Sequence, residues 1–331
     1  SIESTLYEGD KTLLNQRFSA ESILKKVLVP DNGNSKIKTY NDEFSTGVKM
    51  GFDFGQVMLN HIENGASYNF INGYQDTDGN PHVIFRLFAN GALNYHDYQL
   101  REIKKGYFIV DDIYPYMTGE NLSLTLKKPY IIDLTKSLNE ETENTDVIKG
   151  MLIINEIKAL MAKGEYQTAL TIYNTIPLEV KNEKLFRIVG IQLTAQISSE
   201  EYNKAVDTLR LLYPNDPSKY LIEVDYFFAQ EDYDRTLEAI DSLDKKVGYD
   251  ELLNLHRGNT HFLNGNMASS VNCFEKLIED FPYLPSAHDG LLHVLINDNQ
   301  YEKACTLANN TIETFELTKA YFAASMKENY P

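Results

Sequence analysis

Apolar residues follow two different rhythms along this chain. In the runs Ser67 to Gln75, His82 to Ala89, Leu93 to Ile103 and Tyr107 to Tyr116 they alternate with polar residues, the period of a half-buried strand. The connections Asp76-Thr77-Asp78-Gly79-Asn80, Asn90-Gly91 and Lys104-Lys105-Gly106 are short, polar and glycine-bearing. Such turns suit hairpins, so the runs predict an antiparallel meander. Ahead of them the period is helical: Lys11 to Val27 predicts one helix and Phe44 to Glu63 another, the latter with Phe44, Val48, Phe52, Gly55, Leu59 and Ile62 on one stripe. Gly47, Gly51 and Gly55 stand along its side and predict a close neighbour, because each costs about 1 kcal/mol in a helix interior.

Beyond residue 147 the helical rhythm takes over, and it repeats. A large residue followed three later by a small one and seven later by another core position recurs as Tyr166, Ala169, Tyr173; Tyr202, Ala205, Leu209; Tyr233, Thr236, Ile240; Met267, Ser270, Phe274; and Tyr301, Ala304, Ala308. Successive separations are 36, 31, 34 and 34 residues. Gly258 is expected to let a helix approach closely, and Pro217 and Pro282 to end second helices. This pattern resembles the tetratricopeptide repeat (TPR) family, whose unit of about 34 residues is a helix, a turn and a second helix. The resemblance implies an all-α solenoid of about five repeats over residues 147–331, with Leu317 to Met326 as a capping helix.

Residues 1–140 predict an α+β domain of helices plus a four-stranded antiparallel meander. That order resembles the cystatin-like and nuclear-transport-factor-like folds. The stretch from Asn94-Tyr95 through Asp111-Asp112-Ile113-Tyr114 to Gly119-Glu120-Asn121-Leu122-Ser123 also looks like a domain found beside such repeats in uncharacterised exported bacterial proteins, which implies an exported or periplasmic location. The polar run from Asn139 to Asp146 is the expected boundary, read either as a linker or as the acidic start of a helix.

Charge sharpens the division. Of 331 residues, 31 are Lys or Arg and 48 Asp or Glu, a net of −17. Residues 1–140 hold 14 bases and 18 acids (−4) and residues 141–331 hold 17 and 30 (−13). Such acidity disfavours duplex nucleic acid and anionic lipid, both of which need clustered cations. No apolar run is long enough to span a membrane. Cys273 and Cys305 stand outside any CxxC and are expected to remain unpaired. The first residue is Ser1 rather than Met, which fits a processed or trimmed N-terminus.

Candidate chemistry is sparse. Alternation places His82 with Arg86, and His96 with Tyr98, each pair on one face of its strand, with Asp111 on the last strand. Converging on a pocket, Arg86, His96, Tyr98 and Asp111 could bind a small molecule, and a His near an Asp can do the acid–base work of the isomerases and dehydratases on related folds. The plainer expectation is hydrogen bonding at a sheet surface. Asp76 to Asn80 has its glycine in the wrong place for an EF-hand and reads as a turn. Asp53-Phe54-Gly55 lacks the other kinase motifs. His256 and His261, like His288 and His293, are five apart on their helices, a poor zinc geometry, so no metal and no cofactor is expected.

The repeat resemblance carries the leading functional expectation, a non-enzymatic scaffold that binds a peptide or protein. It assigns groove-facing positions to Leu221, Asp225 and Phe228, to Leu255, Asn259 and Phe262, and to Asp289, His293 and Ile296. Chaperone-binding members clamp a C-terminal carboxylate with Lys and Asn at two such positions. Here Leu255 and Asp289 replace the bases and only Asn259 matches, so a basic or apolar segment is the expected partner. The α+β domain would add a second contact or a dimer surface.

Overall fold

The computed structural model describes residues 2–18, 20–51, 53–89, 91–138 and 145–315. Phe52, most of the expected boundary (139–144) and the expected capping helix at 317–326 lie outside them. The chain forms two compact units, Ser1–Leu221 and Ile222–Pro331.

The first unit opens with helices α1 (Ile2–Tyr7), α2 (Thr12–Arg17), α3 (Ala20–Val27), α4 (Ser35–Gly51) and α5 (Phe54–Glu63). Two expected single helices are therefore each divided. Phe18 leaves the helical path to bridge Val110 in parallel, which separates α2 from α3. Asp53 starts α5 afresh by accepting from Gln56 N at 3.0 Å, and Lys11 and Asn15 hold the same carboxylate. Of the glycines on the expected stripe only Gly55 is crowded: a Cβ there would lie 2.7 Å from Asn15 and Lys11 side-chain atoms, whereas Gly47 and Gly51 face open space.

The meander forms as expected: β1 (Ser67–Gln75), β2 (Pro81–Ala89), β3 (Ala92–Lys104) and β4 (Tyr107–Pro115) pair in sequence order, all antiparallel. In the first turn Asp76 Oδ1 accepts from Asp78 N at 2.9 Å and Asn80 N at 2.8 Å, and Gly79 takes φ 83°. The carboxylate thus folds the hairpin. One sheet face carries Tyr68, Phe85, Leu87, Tyr98, Val110 and Ile113 into a core with Leu6, Leu14, Phe18, Ile23 and Val27 of the helices. Helix α6 (Leu122–Leu138), unforeseen in the sequence, adds Tyr130 and Leu134 to it despite Pro129 in its interior.

Helices α7 (Thr145–Ala162), α8 (Tyr166–Asn174), α9 (Leu178–Lys181), α10 (Lys184–Thr194) and α11 (Ser199–Leu212) complete the first unit with the start of α12 (Pro217–Ala229). Tyr173, Ile176, Phe186, Val189 and Leu193 form their core with Ile154 and Ile157. The second unit continues with α13 (Tyr233–Val247), a 3₁₀ turn at Glu251–Leu253, α14 (Asn254–Leu263), α15 (Met267–Asp280), α16 (Pro285–Asn297) and α17 (Tyr301–Phe315). The aligned segments each lie on a second helix, and their later large positions Tyr173, Leu209, Ile240 and Phe274 are buried. Phe274 shows why the register holds: a Cβ at Gly258 would come within 2.8 Å of its ring, and one at Gly290 closer still. Bare backbone on α14 and α16 makes the slot that this ring fills. Pro217 opens α12 rather than ending its predecessor, and Pro285 opens α16, both first-turn positions where the missing N–H costs nothing.

Candidate functional site

The residues expected to converge in the α+β region are distributed over the sheet instead. His96 and Tyr98 face the helices. Tyr68 hydroxyl lies 3.0 Å from His96 Nδ1 and is bonded to the Tyr98 hydroxyl. Burial lowers the His96 pKa to about 3 and raises that of Tyr98. A neutral imidazole locked among tyrosines is a structural group.

Arg86 and His82 lie on the opposite face. Arg86 Nη2 donates to Asn69 Oδ1 at 3.1 Å. His82 Nδ1 meets Asp97 Oδ1 at 2.7 Å and stacks on Tyr74, whose hydroxyl donates to Asp97 Oδ2. Burial works against a charged His82, but the hydrogen bond and charge of Asp97, with those of Asp76, outweigh it and raise its pKa. Asp97 is the His partner that the sequence reading missed. A bulge at Phe70/Asn72 reverses the alternation of β1 and brings Tyr74 beside His82 and Asp97, which already share a face across the unbroken β2–β3 register. Asp111 belongs to a third group at a second bulge. It pairs with Lys26 at 3.0 Å and Arg101 at 2.7 Å while Asp112 receives Ser123 Oγ at 2.6 Å.

Beyond this face the sheet is tied to the helices that follow it within the first unit. Tyr114 hydroxyl donates to Asp216 Oδ1 at 2.5 Å, Lys184 pairs with Asp216, and Ser218 donates to the same carboxylate. Burial raises the Asp216 pKa, but hydrogen bonds from Lys184, Ser218 and Tyr114 win and lower it.

The helix-facing side of the sheet also holds a cavity of about 610 Å³, lined by Phe70, Val83, Phe85, Tyr98, Leu100 and Phe108 among others, with Glu3 and Arg17 its charged neighbours among the described residues. No sequence motif marks it. Its signal is the run of apolar residues sharing one strand face.

On the repeats, the expected groove positions of the second unit separate into two sets. Asp225, Asn259 and His293 are exposed, Phe228 is 40% exposed, and Phe262, Asp289 and Ile296 are half-buried. Leu255 departs from expectation: at 7% exposure it is a core residue of α14. Leu221 is half-buried at the end of the first unit. Phe262 meets the His293 ring edge-on at 4.8 Å, joining α14 to α16, and Phe228 meets Tyr233 at 6.2 Å. Asp225 reaches solvent, yet the protein crowding around it pushes its carboxyl up to about 6. Burial also raises Asp289, partly offset by His288. Cys273 is buried and Cys305 half-buried, both free thiols.

No protein-family model matches the chain. No curated protein matches it either. Among solved structures it is similar to "MamA 41-end from Desulfovibrio magneticus RS-1", at 14% identity and TM-score 0.45 over 52% of this chain and 97% of that one. It is also similar to "MamA RS-1 ArsTM double mutant", at 14% identity and TM-score 0.44 with the same coverage. A third, "Crystal structure of MamA protein", has 12% identity and TM-score 0.42 over 50% of this chain and 92% of that one.

Proposed function

We propose that this chain is a non-enzymatic scaffold whose TPR-type helix pairs bind a peptide or protein segment. The observation behind this reading is the sorting of side chains in the second unit. Second-helix positions in the repeat register are core, whereas Asp225, Phe228, Asn259 and His293 on successive first helices remain accessible. The aromatic Phe228 beside the exposed acid Asp225 favours a basic or apolar segment and opposes an acidic tail. In this reading the cystatin-like sheet region supplies a second contact or a dimer surface.

A peptide array probed with the full chain tests the proposal. Basic, aromatic-rich peptides should be retained, acidic C-terminal peptides should not, and Phe228→Ala with Phe262→Ala should reduce retention tenfold or more (about 1.4 kcal/mol) with little change in melting temperature. Retention of acidic peptides, or melting loss with retention intact, would refute it. The organisation into residues 1–140 and 147–331 is part of the proposal. Limited proteolysis should cut between Ser137 and Ile148.

A second reading has its own observation, the 610 Å³ cavity against the sheet. Its size falls within the range of small-molecule sites, about 300–1,000 Å³. Here the first unit binds an apolar ligand and the repeats recruit.

A further inference from the structure

We propose that the sheet cavity takes a mono-anionic amphiphile, a medium-length apolar chain with one carboxylate-like head held by Arg17; this rests on the second reading above. The walls dictate an apolar body. Phe70, Val83, Phe85, Leu100 and Phe108 present only carbon, and the wall hydroxyl of Tyr98 is already bonded to Tyr68. A ligand group needing hydrogen bonds would lose them on entering.

The rim supplies the polarity, and it is asymmetric. At the β4 edge, Arg17 Nη1 donates to Phe108 O at 3.0 Å and the guanidinium lies 4.0 Å over the Tyr107 ring. Both contacts fix the group in place, and its remaining N–H groups have no partner among the described residues. A positioned guanidinium with unspent donors recognises a carboxylate or a similar oxyanion.

The opposite end of the rim is closed to anions. Glu3 sits at the β1 edge with Oε1 accepting from Asn69 Nδ2 at 2.6 Å and Oε2 from Phe70 N at 3.3 Å. Because β1 and β4 are the outer strands of the sheet, three strand spacings of about 4.8 Å put these edges roughly 14 Å apart. An extended alkyl chain of medium length crosses that distance, with its tail near Phe70, which is 49% exposed. A second anionic head would meet Glu3, so the site prefers one charge.

Titration calorimetry on the full chain tests this, using laurate below its micellar concentration, dodecanol, dodecyltrimethylammonium and dodecanedioate. Laurate should bind once per chain, with dodecanol, the cation and the diacid each about tenfold weaker or worse, the scale of one charge-assisted hydrogen bond. Arg17→Gln should bring laurate down to the level of dodecanol and leave dodecanol unchanged. Val83→Phe, or Leu100→Phe if the first fails to fold by circular dichroism, should remove binding of both. Equal binding of laurate and dodecanol, or an Arg17→Gln variant that keeps the preference, would overturn the head-group assignment while leaving an apolar site in place. If none of the four binds saturably, the assignment and the second reading fall together.

Discussion

The sheet region and the distal helix pairs solve the same packing problem with different materials. Around the sheet, buried polar groups close on one another: Tyr68 with His96 and Tyr98, Asp97 with His82 and Tyr74, Asp216 with Lys184, Tyr114 and Ser218. In the second unit the joints are mainly apolar, as where the Phe274 ring sits in slots left by Gly258 and Gly290. The difference follows from topology. A meander must seat side chains on two faces and at two edges, so tyrosines and acids enter the interior and need partners. A helix pair buries one stripe and leaves its polar residues free to face a ligand. Asp225, Asn259 and His293 of the second unit accordingly stand at accessible first-helix positions, whereas the acids Asp97, Asp112 and Asp216 around the sheet are held in networks.

The largest expected effect tests the apolar half of this contrast. Phe274→Ala would leave a void between two glycine-bearing helices, and thermal unfolding should show a loss of about 3–5 kcal/mol. Should the loss stay below about 1 kcal/mol, the ring-in-slot account of the repeat register fails.

The polar half is tested by Lys184→Met, which strands Asp216 in a partly buried site and should cost about 2 kcal/mol at neutral pH. Since the folded pKa of Asp216 is depressed, the stabilisation is present above the unfolded value near 4 and fades as pH falls through the lower folded one. The variant should accordingly lose less stability on acidification than the parent. Denaturant midpoints across that range would decide, and parallel curves would count against the network.

The smallest effect concerns Asp225, a position of the proposed groove. A carboxyl raised to about 6 favours the protonated form, so Asp225 contributes stability below about pH 4 that is lost as pH rises through about 6. Asp225→Asn should flatten that decline and stabilise the chain at pH 7 by about 1 kcal/mol or less, because solvent screens an accessible charge. An unchanged profile would mean that the folded chain does not crowd the Asp225 carboxyl.

Much of the architecture was legible before the structure. Alternation and turn chemistry located all four strands to within a residue or so, since a half-buried strand writes its period directly into the chain. The repeat register was equally plain, because each repeat must present its small and large residues to the next helix at the same spacing. Helix α6 was not, its residues Leu122 to Leu138 showing little amphipathic period around Pro129. The candidate pocket fared worst. His96 and Tyr98 share one network through Tyr68, Arg86 and Asp111 sit in two others, and Leu255 lies in the core.

By itself the sequence determined the strand order, the hairpins, the period of the helix pairs and the acidity of the second part, all properties of neighbouring residues. Tertiary structure alone decided which side chains meet. Single-residue bulges at Phe70/Asn72 and at Gln99/Leu100 shift the register of β1 and β4, which brings Tyr74 to Asp97 and sets Asp111 apart from Val110. A bulge costs one unpaired residue and leaves no mark in local composition, yet it reverses every side chain beyond it. The cavity arises likewise from what fails to fill the space between α2 and the sheet, and empty volume is a property of distant residues that no local pattern records.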